Sequence, residues 1–335
     1  MPPWSIAASN HLDELGPGLL CAAIVAIAAL FLSEHYGASA MLFALLLGMS
    51  VNFLGQEGKC VSGIDFAAST ILRIGVALLG LRITFTEIAA LGLNVALMVV
   101  AAVVLTILFG RLFVRFTHAE SRFGILTAGA VAICGVSAAL AIAAALPRGE
   151  HHERDSVFTV IGVTALSTIA MVVYPIVSTA LGFTPHQAGI FLGATIHDVA
   201  QTVGAGYSIG KETGDTATVV KLLRVAMLLP VILVLSLVFH RKTGKESRPP
   251  LLPWFAVLFG ALVVLTSLVA LPKQFLNFAG ELSRFALVVA IAAIGMRTSL
   301  KALTVLGLRP VLLMVAETLF LAGFVIGMMK LLAIQ

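Results

Sequence analysis

The apolar stretch 187–210 carries ionisable residues at its centre. His197 and Asp198 lie side by side, and Gln201 follows three residues after Asp198. Ionisable groups in hydrocarbon are costly unless they pair with a partner or face water. The glycines of the same stretch loosen a helix and let the backbone approach a ligand. The pattern therefore predicts a broken helix that lines a polar cavity.

The chemistry predicted for this pair is binding of a coupling ion. Asp198 is suited to taking up a proton or a sodium ion, and histidine is the side chain whose unperturbed charge change falls near neutrality. The alternative is a buried hydrogen-bonded pair that holds two helices together. Because ionisable residues within membrane segments are functional by default, the coupling-ion interpretation is favoured.

A second candidate break lies in the segment 122–146, which is crowded with alanine and glycine. Gly135 frees the backbone, and a half-helix beginning near Ser137 would aim amide donors and its positive dipole end at an anion. A packing face of small residues explains the pattern equally well. A nucleophilic Cys134 acting with His197 is a weaker alternative, because the sequence offers no oxyanion-hole or water-supply motif.

The elements that must position these residues are membrane helices. The 335-residue chain is 60% hydrophobic and 11% charged, with a mean hydropathy of +1.08. Its apolar runs, roughly 17–25 residues long, suit spanning helices and not the alternating strands of a barrel. About eleven segments are predicted: 18–32, 38–54, 65–81, 88–109, 122–146, 157–181, 187–210, 218–239, 252–271, 275–294 and 308–332.

We expect an all-α polytopic membrane protein with a single transmembrane domain over residues 1–335. The expected core is 65–145 and 185–240, and the remaining helices form a scaffold. The segment 65–81 contains Arg73, and the sequence leaves open whether it spans or re-enters. The charge of the loops places the amino terminus in the cytoplasm, since basic loops stay inside.

Composition also limits the partners. The net charge of +5 comes from 21 basic and 16 acidic residues, an excess too small to indicate nucleic acid but compatible with an anionic ligand. Cys21, Cys60 and Cys134 show no metal-ligand spacing and no disulfide framework, so neither a metal nor another cofactor is expected. The first fifteen residues lack the basic region of a cleaved signal, which predicts that the first apolar run is retained.

An internal repeat connects two arginines. GLRITFTEIAALG at 80–92 matches GMRTSLKALTVLG at 295–307, an offset of 295 − 80 = 215 residues, and places Arg82 and Arg297 at equivalent joints. If all eleven segments cross, the two arginines lie on opposite faces, as in an inverted-topology repeat. An arginine at a helix end more often reaches only to the headgroups, and the repetition strengthens the alternative of a role in attracting or gating an anion without making it the favoured one.

The motifs GVALLGLRITF, ICGVSAALA, GATIHDVAQTVGAGYSIG and IGMRTSL together resemble the YeiH-type family of bacterial inner-membrane proteins, described as sulfate exporters. The resemblance covers nearly the whole chain. It implies an inverted-repeat transporter related to sodium/proton antiporters and bile-acid symporters, in which two discontinuous helices cross near the membrane centre. Carried over to this sequence, those helices hold Cys134, Gly135 and Ser137 on one and His197, Asp198 and Gln201 on the other.

The expected function is therefore secondary active transport of a small anion, such as sulfate or a sulfonate, driven by protons and without enzymatic activity. The predicted binding residues are His197, Asp198, Gln201, Cys134, Gly135, Ser137, Arg82 and Arg297. The alternatives are a symporter of organic anions with sodium at Asp198, a membrane-embedded enzyme using Cys134 and His197, and a channel. The expected partners are the anion, the coupling proton or sodium ion, the bilayer of the bacterial inner membrane and, by analogy, a second copy in a homodimer.

Overall fold

The computed structural model describes residues 3–36, 40–117, 120–147, 152–239, 254–269, 271–298, 308–332 and 334. Within these residues every regular element is helical. The helices are α1 (Pro3–Tyr36), α2 (Ala40–Ser50), α3 (Val61–Phe66), α4 (Leu72–Leu79), α5 (Phe85–Ala90), α6 (Gly92–Phe113), α7 (Ser121–Ala132), α8 (Val136–Ala145), α9 (His152–Ala180), α10 (Pro185–Thr195), α11 (Val199–Ile209), α12 (Lys211–Ala226), α13 (Leu228–Val238), α14 (Trp254–Leu268), α15 (Lys273–Arg297) and α16 (Leu308–Leu331).

The helices account for all the predicted apolar segments within the described residues. In the described part of the chain, seven helical stretches, some made of two consecutive helices, are long and apolar enough to cross a membrane. The chain is thus an all-helical membrane protein with several spans. The segment from α3 to α4 is continuous through a π-helical turn, Ala67–Ile71, and Val61–Leu79 is one of the seven candidate spans. The crossing of eleven segments, the inverted repeat, the core boundaries and the orientation stay predictions.

The chain divides into two compact units. The first comprises Met1–Phe85 with Val257–Ser299, and the second comprises Thr86–Ala256 with Leu300–Gln335. All the predicted site residues except the two arginines belong to the second unit.

The first unit is built around α15, the most deeply buried of the candidate spans. Helix α2 approaches it so closely that a Cβ atom added to Gly48 would lie 2.2 Å from the carbonyl oxygen of Ala292. Near the end of α15, the Arg297 guanidinium pairs with the Asp65 carboxylate at 2.9 Å. The predicted anion-attracting Arg297 therefore already has a carboxylate partner inside its own unit.

In the second unit, α10 and α11 both pack on α12. Thr184 and Gln187 form a reciprocal capping box that fixes the start of α10. The contact with α12 depends on small residues, since a Cβ atom added to Gly193 would lie 2.6 Å from the carbonyl oxygen of Ala217. This close approach brings the next turn of α12 under the end of α10.

Helix α12 begins earlier than predicted. Its first residue is Lys211, seven positions before the start of the predicted segment at 218. An apolarity criterion excludes this turn because it is charged, although Lys211 pairs with Asp215 one turn later at 2.8 Å.

Candidate functional site

The predicted break in the segment 122–146 is present between α7 and α8. Helix α7 ends at Ala132 and α8 begins at Val136. Gly135 between them has φ +65° and ψ −124°, a conformation that suits glycine and strains other residues. Cys134 and Gly135 are buried, whereas Ser137 is exposed in the first turn of α8.

The predicted break in the segment 187–210 is present between α10 and α11. Helix α10 ends at Thr195, and α11 begins at Val199 after a short extended stretch. Asp198 is the N-cap of α11, because its Oδ1 accepts a hydrogen bond from the amide of Ala200 at 2.8 Å. Its own amide donates to the Ser167 hydroxyl of α9 at 3.0 Å. Both bonds fix the carboxylate at the amino end of α11.

The two breaks lie against each other. A Cβ atom added to Gly135 would be 3.6 Å from the carbonyl oxygen of His197 and 3.7 Å from Oδ2 of Asp198. The Asp198 carboxylate therefore lies beside the amino ends of both half-helices, α8 and α11.

Lys221 of α12 connects the two breaks through hydrogen bonds to both. The side chain is fully buried, and its ammonium group donates to three backbone carbonyl oxygens. These belong to Ile133 at 2.9 Å, Ile196 at 2.8 Å and His197 at 2.5 Å. An ammonium group has three donors, so Lys221 has none left for an anion.

Arg224, one turn further along α12, makes the same kind of contact. Its guanidinium donates to O of Ala132 at 2.8 Å, Val131 at 2.9 Å, Ile196 at 2.9 Å and Gly193 at 3.1 Å. Carbonyl groups at a helix C-terminus lack intrahelical partners and carry partial negative charge. The two buried cations therefore satisfy the carboxyl ends of α7 and α10 and hold these ends together.

His197 is fully buried and bonded on both sides of its ring. Nδ1 lies 3.1 Å from O of Val131, and Nε2 lies 3.1 Å from the Thr318 hydroxyl of α16. Because a carbonyl oxygen only accepts, Nδ1 carries a hydrogen. These contacts match the alternative interpretation of His197 as a buried link between helices.

The other predicted site residues are dispersed. Gln201 is buried in the first turn of α11, and its Oε1 has no hydrogen-bond partner among the described residues. Arg297 lies in the first unit. The backbone of Arg82 ends the turn Gly80–Arg82, but its side chain lies outside the described residues. No group of three or more His, Cys, Asp or Glu side chains that could hold a metal ion occurs in the described part of the chain. Sodium at Asp198 stays a prediction.

The sequence leaves open whether Lys221 and Arg224 face the substrate path or a helix interface, and neither is among the predicted binding residues. A signal was present, since two cations three residues apart share one face of an apolar segment, and buried cations require acceptors. Broken helices provide such acceptors as free carbonyl groups. Thr318 was missed because a lone threonine in an apolar helix is common.

Interrupted helices within an all-helical, apolar bundle define the class of the chain as a polytopic membrane protein. Residues 17–314 match the family described as Conserved hypothetical protein 698, and the chain belongs to this family.

Relatives of the chain carry the name UPF0324 membrane protein. One from Chlorobaculum tepidum is 54% identical over 325 residues, covering 96% of this chain and 91% of the relative. The UPF0324 membrane protein TauZ of Paracoccus pantotrophus is 53% identical over 325 residues, covering 96% of both chains. One from Haemophilus influenzae is 34% identical over 332 residues, covering 92% of this chain and 96% of the relative. No solved structure matches the chain significantly.

Proposed function

We propose that this protein is a proton-coupled secondary transporter of a small anion such as sulfate or a sulfonate. The observation that carries the proposal is the position of the Asp198 carboxylate, beside the amino ends of the half-helices α8 and α11, while buried cations bond the carboxyl ends of the opposing half-helices α7 and α10. Broken helices of this kind form binding sites in many secondary transporters. The membership of a family of membrane proteins agrees with such a function.

The charges of the site favour an anion. Lys221 and Arg224 provide two positive charges, and Asp198 provides one negative charge. The N-cap of α8 is Gly135, which has no side chain to cap that helix. The backbone amides and the positive dipole end at a helix N-terminus attract anions. Ser137, exposed in the same turn, adds a hydroxyl donor.

This geometry narrows the predicted anion site. The sequence predicted binding residues at both breaks, with Gly135 and Ser137 at one and Asp198 and Gln201 at the other. The amino end of α11 is already occupied by the carboxylate of Asp198, which accepts from Ala200. We therefore propose that the anion binds at the start of α8. There the anion and the ionised carboxylate of Asp198 compete for the same positive electrostatic potential.

This competition couples binding of the anion to binding of a proton at Asp198. An anion at α8 would lie close to the Asp198 carboxylate, and two unit charges ~5 Å apart repel by about 3 kcal/mol at an effective dielectric constant of ~20. Protonation of Asp198 removes this repulsion. Proton and anion therefore raise each other's affinity, as linkage requires, and this favours their movement in the same direction.

The test is sulfate uptake into proteoliposomes under an inward proton gradient. We expect uptake by the wild type that a protonophore abolishes. Asp198→Asn should lose gradient-driven uptake while remaining folded, because asparagine caps a helix as well as aspartate does. Full gradient-driven transport by this variant would remove Asp198 from the mechanism.

The rival functions give different results in the same vesicles. A sodium-coupled symporter would lose transport when potassium replaces sodium. A channel would pass current without a coupling gradient.

A further inference from the structure

A buried carboxyl group lies outside the site described so far. Glu317 is near the middle of α16 and its side chain is fully buried. An ionised carboxylate at that depth is costly unless a cation or several donors meet it.

The surroundings of Glu317 are neutral. Oε1 lies 2.8 Å from the Thr127 hydroxyl of α7, and Oε2 has no hydrogen-bond partner among the described residues. On α6, a Cβ atom added to Gly110 would lie 2.5 Å from Oε1, so glycine is required to admit the carboxyl group. One turn earlier on α6, the buried Thr106 hydroxyl also has no partner among the described residues. Because Oε2 has no donor to stabilise a negative charge among the described residues, these contacts favour a protonated carboxyl group.

Among the described residues, no charged side chain compensates this carboxyl group. Its hydrogen-bond partner there is the Thr127 hydroxyl, and α6, α7, α9 and α10 contribute no charged side chain to its electrostatic environment. The next residue of α16, Thr318, bonds to the imidazole of His197. The two charges of Lys221 and Arg224 are directed to the carbonyl groups of the breaks.

Thr127 allows Glu317 to gain or lose a proton without losing its hydrogen bond. The Thr127 hydroxyl also lies 3.1 Å from O of Phe123, one turn earlier on α7. When Glu317 is protonated, its hydroxyl donates to Thr127, which donates to Phe123. When Glu317 is ionised, Thr127 donates to Oε1 instead. A single hydroxyl rotation connects the two states.

We propose that Glu317 is a second proton-binding site, protonated in this conformation and exchanging its proton during the transport cycle. The exchange rests on the proposed transport function, whereas the bound proton does not. Release would leave an uncompensated carboxylate between α6, α7 and α16, a state that favours a conformation in which Glu317 meets water or a cation. Because Thr127 belongs to a half-helix of the site, that change would move the end of α7.

Infrared spectroscopy tests the bound proton in purified protein at neutral pH. We expect a carbonyl-stretch band of a protonated carboxyl group that disappears in Glu317→Gln and persists in Glu281→Gln, a control at an exposed glutamate of α15. Thr127→Val keeps the carboxyl group but removes its hydrogen bond, so the band should shift in this variant. The absence of the band in the wild type, or its persistence in Glu317→Gln, would overturn the proposal that Glu317 holds a proton. If Glu317→Gln does not fold, an unshifted band in Thr127→Val overturns it.

Transport measurements in proteoliposomes test whether Glu317 exchanges its proton during the transport cycle. We expect Glu317→Gln to lower the ratio of proton-driven sulfate uptake to sulfate exchange without a gradient, and Glu281→Gln to leave this ratio unchanged. An unchanged ratio in Glu317→Gln would overturn the proposed proton exchange at Glu317. If the wild type shows neither uptake nor exchange, the proposed function and the exchange step both fail, whereas the infrared result still decides whether Glu317 holds a proton.

Discussion

Arg224 and His197 bind the same carbonyl oxygen. Nη2 of Arg224 lies 2.9 Å and Nδ1 of His197 lies 3.1 Å from O of Val131, near the carboxyl end of α7. A carbonyl oxygen has two lone pairs and accepts both bonds. One backbone atom therefore connects α12, the break after α10 and α7, so a shift of any of these three elements disturbs the other two.

Removing Lys221 should destabilise the protein strongly. Lys221→Met retains a side chain of similar length but removes this donor from the buried carbonyl groups of Ile133 and His197, while Arg224 still donates to Ile196. We expect the free energy of unfolding to fall by roughly 2 kcal/mol or more, since each unsatisfied buried group costs ~1–3 kcal/mol. Reversible denaturation in mixed micelles measures this change.

The same helix offers a matched control. Lys211 is exposed and pairs with Asp215 at 2.8 Å on the surface. Lys211→Met should cost less than about 1 kcal/mol, the usual value of an exposed ion pair. Equal losses in the two variants would show that Lys221 has no special structural role.

Gly135 should be required for its backbone conformation. At φ +65°, an alanine side chain would be strained, yet its Cβ atom would meet neighbours only at ordinary distances of 3.6 Å and more. Gly135→Ala should therefore lower the free energy of unfolding by roughly 1–3 kcal/mol through backbone strain. Thermal unfolding in detergent measures the loss. Gly323→Ala on α16, where a Cβ atom meets open space, should be neutral or slightly stabilising, and a loss as large as that of Gly135→Ala would contradict the strain argument.

Cys134 should be dispensable for transport. Both ring nitrogens of His197 have partners in Val131 and Thr318, so the geometry assigns His197 no role as a base for Cys134. We expect Cys134→Ser to retain proton-driven sulfate uptake. With Cys21 and Cys60 replaced by alanine, a thiol reagent should label the buried Cys134 only after unfolding. Rapid labelling of the folded protein together with an inactive serine variant would support the enzyme alternative.

The breaks were predictable from sequence because their signals are local. Glycine and polar residues in an apolar run mark Gly135 and the pair His197–Asp198, and the structure interrupts both helices there. The partners of the buried polar side chains were not predictable. The partners of Lys221 and Arg224 are backbone atoms, which every residue has, and only the packing of α10 and α7 on α12 selects them. Glu317 likewise finds Thr127 through a contact between residues 190 positions apart.

The affinity for the anion should depend on pH through the charge of Asp198. If bound sulfate and an ionised Asp198 repel each other, sulfate binds the protonated form better, and its stabilisation of the wild type should increase as the pH falls. Asp198→Asn is neutral at every pH, so sulfate should stabilise this variant at high pH as strongly as it stabilises the wild type at low pH. Thermal-shift titrations with sulfate, using chloride at equal ionic strength as the control, measure both dependences. His197, Cys134 and Glu317 remain in the variant, so a pH dependence that survives Asp198→Asn would assign the linkage to one of these groups and not to Asp198.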